Sequence, residues 1–193
     1  MAHITIPTTI GYESIVLKAV QASAVSQSPF TFKQQVIRHT GDRWEASISI
    51  PPVSRDIAEP WVAFLLRCKG PTNTFNLGDP TAANSNLGNI AGMTITGTAG
   101  SDSVTVGASS GTIKAGDYFQ VGTNADAKLY KALNDAGNTD TLDIFPRLRA
   151  NASTTSVDTT AAVGTFRLAS ATQEWEITSP TIYGIQFDCF EAI

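Results

Sequence analysis

The stretch from Trp44 to Ile50 constrains the fold most, because its apolar and polar residues alternate without interruption. One face of an extended chain then carries only apolar side chains, those of Trp44, Ala46, Ile48 and Ile50. The opposite face carries Glu45, Ser47 and Ser49. This period of two predicts a half-buried β-strand. Pro51 and Pro52 are expected to end it, since proline has no N–H to donate to a neighbouring strand.

The next segment, Ser54–Lys69, has a helical period instead. Its apolar residues recur at the spacing of one helix face and are Ile57, Trp61, Phe64, Leu65 and Cys68. Ser54 or Asp56 is expected to cap the helix, with Glu59 completing a capping box and Pro60 in the first turn. Gly70 and Pro71 are expected to end it. We expect this to be the only long helix.

Short strands separated by turn residues are predicted over most of the remaining chain. They cover Glu13–Val20, Phe30–Arg38, Met93–Gly97, Ser103–Gly107, Thr112–Gly122, Ala127–Leu133, Thr139–Pro146, Val163–Leu168, Gln173–Ile177 and Thr181–Glu191. Two polar stretches, 81–92 and 150–162, are predicted to be a linker and a loop.

Between those two stretches, five short strands in about 55 residues predict a small closed or nearly closed barrel of the OB or SH3 type. The predicted fold is therefore mainly β: one β domain with one α-helix, formed by residues 1–90 and 150–193, plus a small β-barrel inserted at 91–149.

Composition excludes several classes of function. The 193 residues suffice for one good domain or two small ones, and only 16% are charged, against about 25% in soluble domains. A net charge of −4 gives no bulk attraction to nucleic acid.

No apolar run approaches the roughly 20 residues of a membrane helix, and we expect no secretory signal. Cys68 and Cys189 are expected to be buried free thiols, with a long-range disulfide as the alternative.

Residues that could carry catalysis are few. Gly107–Gly111 matches the G-x-S-x-G esterase pattern around Ser109, but a strand rather than a helix is predicted to follow, and no histidine follows His39. His3 and His39 are not spaced as metal ligands. The carboxylates of Asp135, Asp140 and Asp143 lack the spacing of a calcium loop and are expected to be solvated turn residues. We therefore expect no enzyme and no catalytic, cofactor-binding or metal-binding residue.

Nucleic-acid binding and carbohydrate binding are two candidate functions of the barrel. Its basic residues are Lys128, Lys131, Arg147 and Arg149, and its aromatic residues include Tyr118, Phe119, Tyr130 and Phe145. Nucleic-acid binding by such a barrel needs aromatic residues beside the basic ones. Carbohydrate binding likewise needs exposed aromatics, and strand alternation is expected to bury most of these. The sequon at Asn151 is interpreted as chance.

Several segments, in order along the chain, resemble a family of tailed-bacteriophage tail proteins. They are Trp61–Leu66 followed by Gly70 and Thr74–Pro80, then Ile113–Gly122 with Leu129–Lys131, then Leu142–Arg149, and the final stretch Tyr183–Ile193. The resemblance is to distal tail proteins and covers most of the chain from about residue 55 onward.

The resemblance implies a structural virion protein at the tail tip, made in the bacterial cytoplasm. Members form a ring, usually of six copies, between the tail tube and the tip or baseplate. Their ring-forming part is a β-sandwich with a helix, so the resemblance implies a β-sandwich for residues 1–90 and 150–193. The implied partners are other copies of the chain, the tail tube protein and the hub or baseplate proteins, with no specific nucleic acid and no membrane. A module that binds carbohydrate on the host surface is the main alternative. An esterase-type enzyme and a tube or head-completion protein are the others. The family supplies no catalytic or metal residues.

Overall fold

The computed structural model describes residues 1–81, 90, 92–107, 110–178 and 181–193. One α-helix, α1, spans Arg55–Cys68. The strands are β1 (Ser14–Val20), β2 (Ser23–Gln27), β3 (Gln34–Arg38), β4 (Arg43–Ser54), β5 (Phe75–Leu77), β6 (Thr94–Gly97), β7 (Ser103–Gly107), β8 (Tyr118–Val121), β9 (Lys128–Ala132), β10 (Thr141–Phe145), β11 (Ala152–Asp158), β12 (Gly164–Leu168), β13 (Trp175–Thr178) and β14 (Ile182–Glu191).

The main sheet is antiparallel and has the strand order β1-β4-β14-β12-β5, with β13 pairing with β14 as well. Strand β4 lies inside the sheet, and its side chains alternate between buried and half-buried from Arg43 to Ile50. The predicted apolar face is confirmed, since Trp44, Ala46, Ile48 and Ile50 are all buried.

The prolines do not end β4, contrary to the prediction. The strand continues to Ser54, and its pairing with β14 shifts between Tyr183 and Ile185. Pro51 and Pro52 therefore lie at an irregularity of the ladder, where a missing N–H costs little.

Helix α1 packs against the buried face of this sheet, as its period predicted. The side chains of Trp61, Phe64 and Leu65 are 0–2% exposed. Trp61 and Phe64 each lie within 6.5 Å, centroid to centroid, of Phe187 on β14. Tyr12 of the N-terminal segment covers Trp61 edge-on, so that segment completes the layer opposite the sheet.

The details of the helix start differ from the prediction. Ser54 is the N-cap residue but makes no side-chain capping bond. Glu59 accepts a hydrogen bond from Arg55 at 3.2 Å and forms no capping box. Pro60 lies in the second turn rather than the first. Because the strand runs directly into the helix, Ser54 keeps its extended backbone and its place in the sheet.

The barrel is closed by six strands in the order β10-β7-β6-β11-β8-β9. The sixth, β11, falls in the stretch 150–162 that was predicted to be a loop, so the predicted boundary at residue 149 comes one strand too early. Strand β11 closes the barrel because it pairs with β6 on one side and β8 on the other. The fold class, mainly β with one helix and a small inserted barrel, is confirmed.

Two other predicted strands are shorter than expected. Only Tyr118–Val121 of the segment 112–122 is a strand, because the chain turns through Gly116 at a positive φ of 99°. Only Gln34–Arg38 of the segment 30–38 is a strand, and the preceding serine-rich stretch forms its partner β2.

The barrel is inserted between two strands that pair directly, β5 and β12. At this neck, Gly78 lies so close to the Ala162 carbonyl oxygen that a Cβ at position 78 would collide with it. The chain therefore leaves and re-enters the main sheet at neighbouring positions.

Two adjacent helix residues test the packing. Leu65 is 0% exposed and Leu66 is 57% exposed. We expect Leu65→Ala to lower the free energy of unfolding by about 2–5 kcal/mol through lost burial and a residual cavity. Leu66→Ala, the matched control, should change it by less than about 0.5 kcal/mol. Urea unfolding followed by tryptophan fluorescence measures both, and equal effects would contradict the assigned helix face.

Candidate interaction surface

The most exposed apolar feature of the described chain is a β-hairpin, here called the arm, which comprises residues 21–39. Strands β2 and β3 pair with each other over five residues and with no other described strand. Every residue of the arm is exposed except Ala22 and Ser28, which are half-buried. Five paired residues give the arm a length of about 17 Å.

The arm carries five large apolar side chains that are at least half exposed. They are Val25 at 62%, Phe30 at 92%, Phe32 at 72%, Val36 at 63% and Ile37 at 50%. Val25 and Val36 are directly opposite each other in the hairpin register. Ile37 is opposite Ala24, so it lies on the other face of the hairpin from Val25 and Val36. Large apolar side chains are therefore exposed on both faces of the arm and at its tip, and such a concentration on a folded chain indicates contact with another molecule.

The tip of the arm is a closed turn. The Phe32 N–H donates to the Ser28 carbonyl at 2.9 Å, and the Ser28 N–H donates to the Lys33 carbonyl at 3.0 Å. Phe32 has a positive φ of 54°, which is uncommon for an aromatic residue. The turn therefore fixes Phe30 and Phe32 in a tight loop with both rings in solvent.

The base of the arm is anchored on both the sheet and the barrel. Arg38 donates to Asp42 at 2.8 Å and to Asp102 of the barrel at 3.2 Å. Asp42 is fully buried and also lies 3.6 Å from the Arg147 guanidinium. The His39 N–H donates to the Ala22 carbonyl at 2.7 Å, which closes the two arm strands at their base.

A second buried ion pair holds the barrel against the sheet. Arg149 donates two hydrogen bonds to the carboxylate of Glu191, at 2.7 and 3.1 Å, and a third to the Asp42 carbonyl at 2.6 Å. The Trp44 backbone N–H also donates to Glu191, and the Trp44 indole donates to the Leu129 carbonyl at 3.0 Å. Trp44 also contacts Phe145 of the barrel edge-on at 4.9 Å. Tyr118, Leu129 and Phe145 of the barrel therefore belong to the core of the main sheet, and the barrel has a second core of its own that includes Phe119 and Leu142.

The outer side of the main sheet forms a second surface, here called the acidic face. Two grooves of about 470 and 330 Å³ meet there. The polar residues of the acidic face are Glu13, Ser14, Ser47, Ser49, Glu174, Glu176, Gln186 and Asp188. The described lining contains no lysine or arginine, although Lys18 donates to the lining residue Ser47 at 3.1 Å.

Apolar side chains are a minor part of the acidic face. Half-buried Trp175 lines the larger groove, and Val16, which is 50% exposed, lines the smaller one. The side chains of Ile50 and Ile185 belong to the core on the other side of the sheet. Ser49 donates to Glu13 at 3.0 Å, which orients that carboxylate at the groove edge. The acidic face therefore combines several carboxylates with a few exposed apolar side chains.

The candidate catalytic histidines that the structure describes, His3 and His39, lie in different parts of the chain. Ser109 lies outside the described residues. The His3 ring contacts the Thr74 hydroxyl at 3.3 Å, whereas His39 is exposed at the base of the arm. In the described chain no three histidine, cysteine or acidic residues are placed to hold a metal ion.

The three aspartates that the sequence brings to attention do not all lie in turns as expected: Asp135 and Asp140 lie between β9 and β10, whereas Asp143 is the middle residue of β10. Asp140 accepts a hydrogen bond from the Gly137 N–H at 2.8 Å, and Asp143 is an exposed residue of β10. Asp135 accepts from Lys114 at 2.8 Å and from the Ala115 N–H at 2.9 Å. The bond from Lys114, and then that from Ala115, hold the pKa of Asp135 below its usual value.

The barrel does not present its aromatic residues to solvent. Tyr118, Phe119, Tyr130 and Phe145 are each at most 9% exposed. Arg147 and Arg149 face the junction described above, and Lys128 donates to the Ala192 carbonyl. Lys131 lies over the Tyr118 ring at 4.0 Å. Among the candidate ligand-binding residues of the barrel, no exposed aromatic ring lies beside a free basic group.

The sequence prediction missed the arm as an exposed element. It extended one strand through Phe30 and Phe32 and placed no strand over Ser23–Gln27. Of the acidic face, only Ser47 and Ser49 were visible in the alternation at 44–50. Its carboxylates come from Glu13 and from residues 174–188, which the pairing of β14 with β4 and with β13 brings alongside.

A scan against protein-family models finds no match, and a search of curated proteins finds no related sequence. Among the described residues, no helix is both long enough and apolar enough to span a bilayer.

The Arg149–Glu191 pair makes a testable prediction for stability. Their side chains are 10% and 1% exposed, so Arg149→Ala would leave a buried carboxylate without its partner. We expect this change to cost about 3–5 kcal/mol in the free energy of unfolding. Arg55→Ala, which breaks an exposed Arg55–Glu59 pair, should cost no more than about 1 kcal/mol. Similar losses in denaturant titrations of the two variants would contradict the structural role of the junction.

The two cysteines are free and buried, as predicted. Burial raises the pKa of Cys68 to about 11 and raises the pKa of Cys189 as well. Both thiols are therefore protonated and shielded at pH 8, and we expect neither to react with Ellman's reagent in the folded protein. Both should react in guanidinium chloride. Rapid reaction of either thiol under native conditions would contradict its burial.

Proposed function

We propose that this protein is a structural subunit of a phage tail tip, which assembles into a ring that adapts the tail tube to the tip or receptor-binding apparatus. The observation that carries the proposal is the arm, an apolar hairpin that projects from a well-packed body. An isolated two-stranded hairpin is marginally stable in water, so a partner surface is expected to cover it.

Self-assembly explains this surface. When one patch on a chain binds a different patch on the next copy, repetition closes a ring or extends a filament. The resemblance to distal tail proteins favours a closed ring of six copies. It also assigns the tube protein and the hub or baseplate proteins as neighbours, and the virion tail tip as the location.

The composition agrees with an assembly role. Interface cores are depleted in charge, and this chain has 16% charged residues. The mild net charge of −4 is compatible with DNA passing through a ring without binding to it. In this proposal the barrel lies at the periphery, where it contacts other tip proteins.

The carbohydrate-binding alternative is less well supported. It needs aromatic rings exposed on the barrel, and the four weighed for this role are buried. Catalysis has no assembled site among the described residues, and the absence of enzyme activity remains a prediction.

Native mass spectrometry followed by negative-stain microscopy tests the proposal. Six copies of this 20.4 kDa chain form a particle of about 120 kDa, which we expect to have a central hole. The double variant Phe30→Ser/Phe32→Ser should remain folded by circular dichroism and be monomeric. Leu133→Ser, which alters an exposed barrel leucine, is the matched control and should still assemble.

The opposite outcome is also defined. A wild-type chain that stays monomeric up to millimolar concentration would contradict self-assembly through the arm. It would favour a peripheral binding module, which binding of the full chain to a glycan array would then support.

A further inference from the structure

We propose that the arm of one copy docks across the acidic face of the neighbouring copy. This inference rests on the proposed ring function and deepens it, because it names the two surfaces that meet. The partner of each surface, the arm and the acidic face, is another copy of this chain.

The charges of the two surfaces are complementary. The arm contains two basic residues, Lys33 and Arg38, and no acidic residue. The acidic face contains four carboxylates, those of Glu13, Glu174, Glu176 and Asp188. Arg38 is held at the base of the arm by Asp42 and Asp102, so Lys33 beside the tip is the cation available to a partner.

The uncharged side chains of the arm and of the acidic face can also contact each other favourably. The arm offers apolar residues together with uncharged hydrogen-bonding groups on Ser26, Gln34 and Gln35. The acidic face offers Val16 and Trp175 as apolar contacts, with the hydroxyl of Ser49 and the amide of Gln186 shared by both grooves. Contact would bury apolar area and leave amide and hydroxyl groups with partners, which is the composition of a non-obligate interface.

The dimensions of the two surfaces agree. The acidic face runs across β1, β4, β14 and β13, which is three strand spacings of about 4.8 Å, or about 14 Å. The arm is about 17 Å long. A two-stranded arm can therefore cross the whole face.

The arm does not cover the acidic face of its own chain. Its base is tied to Asp102 of the barrel, and its strands pair with no described strand of the main sheet. Nearly all of its residues are exposed. An intermolecular contact between two different surfaces is head-to-tail, and this is the type of contact that closes a ring.

Disulfide trapping between two full-length variants tests the contact. Ser26→Cys lies mid-arm and Gln186→Cys lies mid-face, while Cys68 and Cys189 are buried. Mixed under mild oxidation, the two variants should give a cross-linked dimer that neither gives alone. Asn138→Cys, an exposed barrel position, replaces Gln186→Cys as the matched control and should give none.

Charge reversal provides a second readout. We expect Lys33→Glu and Glu174→Lys each to weaken association by about tenfold, and the double variant to recover most of the loss. Asp143→Lys, at an exposed barrel position, should not weaken it and should not rescue Lys33→Glu.

The outcomes separate this inference from the proposed function. If rings form but show neither the cross-link between Ser26→Cys and Gln186→Cys nor the charge rescue, the docking site is wrong and the proposed ring function is unaffected. If the chain neither associates nor cross-links at any concentration, the docking site and the proposed ring function are both wrong. The full chain could instead bind anionic phospholipid vesicles through the arm. Vesicle binding that is lost in Phe30→Ser/Phe32→Ser and unaffected by Glu174→Lys would also overturn the inference.

Discussion

The buried carboxylate of Asp42 determines how the parts of this molecule are arranged. A buried charge is costly unless it is paired, and Asp42 is paired by Arg38 from the arm and by Arg147 from the barrel. Its backbone carbonyl accepts a further bond from Arg149. Sheet, barrel and arm therefore meet at one residue, which fixes the base of the arm relative to both modules.

The sequence pattern predicted those strands and helices in which residues a few positions apart already define one buried face. Strand β4 and helix α1 each have one apolar face, so the alternation at 44–50 and the helical period at 57–68 were sufficient. Strand β11 could not be found in this way. Its sequence is rich in serine and threonine and looks like a loop, and it is a strand because β6 and β8 bind both of its edges.

The candidate surface was harder to predict than the core. Val25 and Val36 have the side chains of buried strand residues, and only the absence of any described layer over the arm makes them a surface feature. The acidic face joins carboxylates that are more than 150 residues apart in sequence, such as Glu13 and Glu174. The histidines and aspartates that stand out in the sequence are scattered: His3 contacts Thr74, His39 lies at the base of the arm, and Asp143 lies in the middle of β10.

The direct pairing of β5 with β12 has a consequence for how such a chain can vary. The barrel leaves and returns through neighbouring strands, so it can be exchanged for another module without altering the path of the main sheet. The exchange has chemical conditions. Any replacement must bring a carbonyl to the Trp44 indole and cations to Glu191 and Asp42, because the barrel supplies these through Leu129, Arg149 and Arg147.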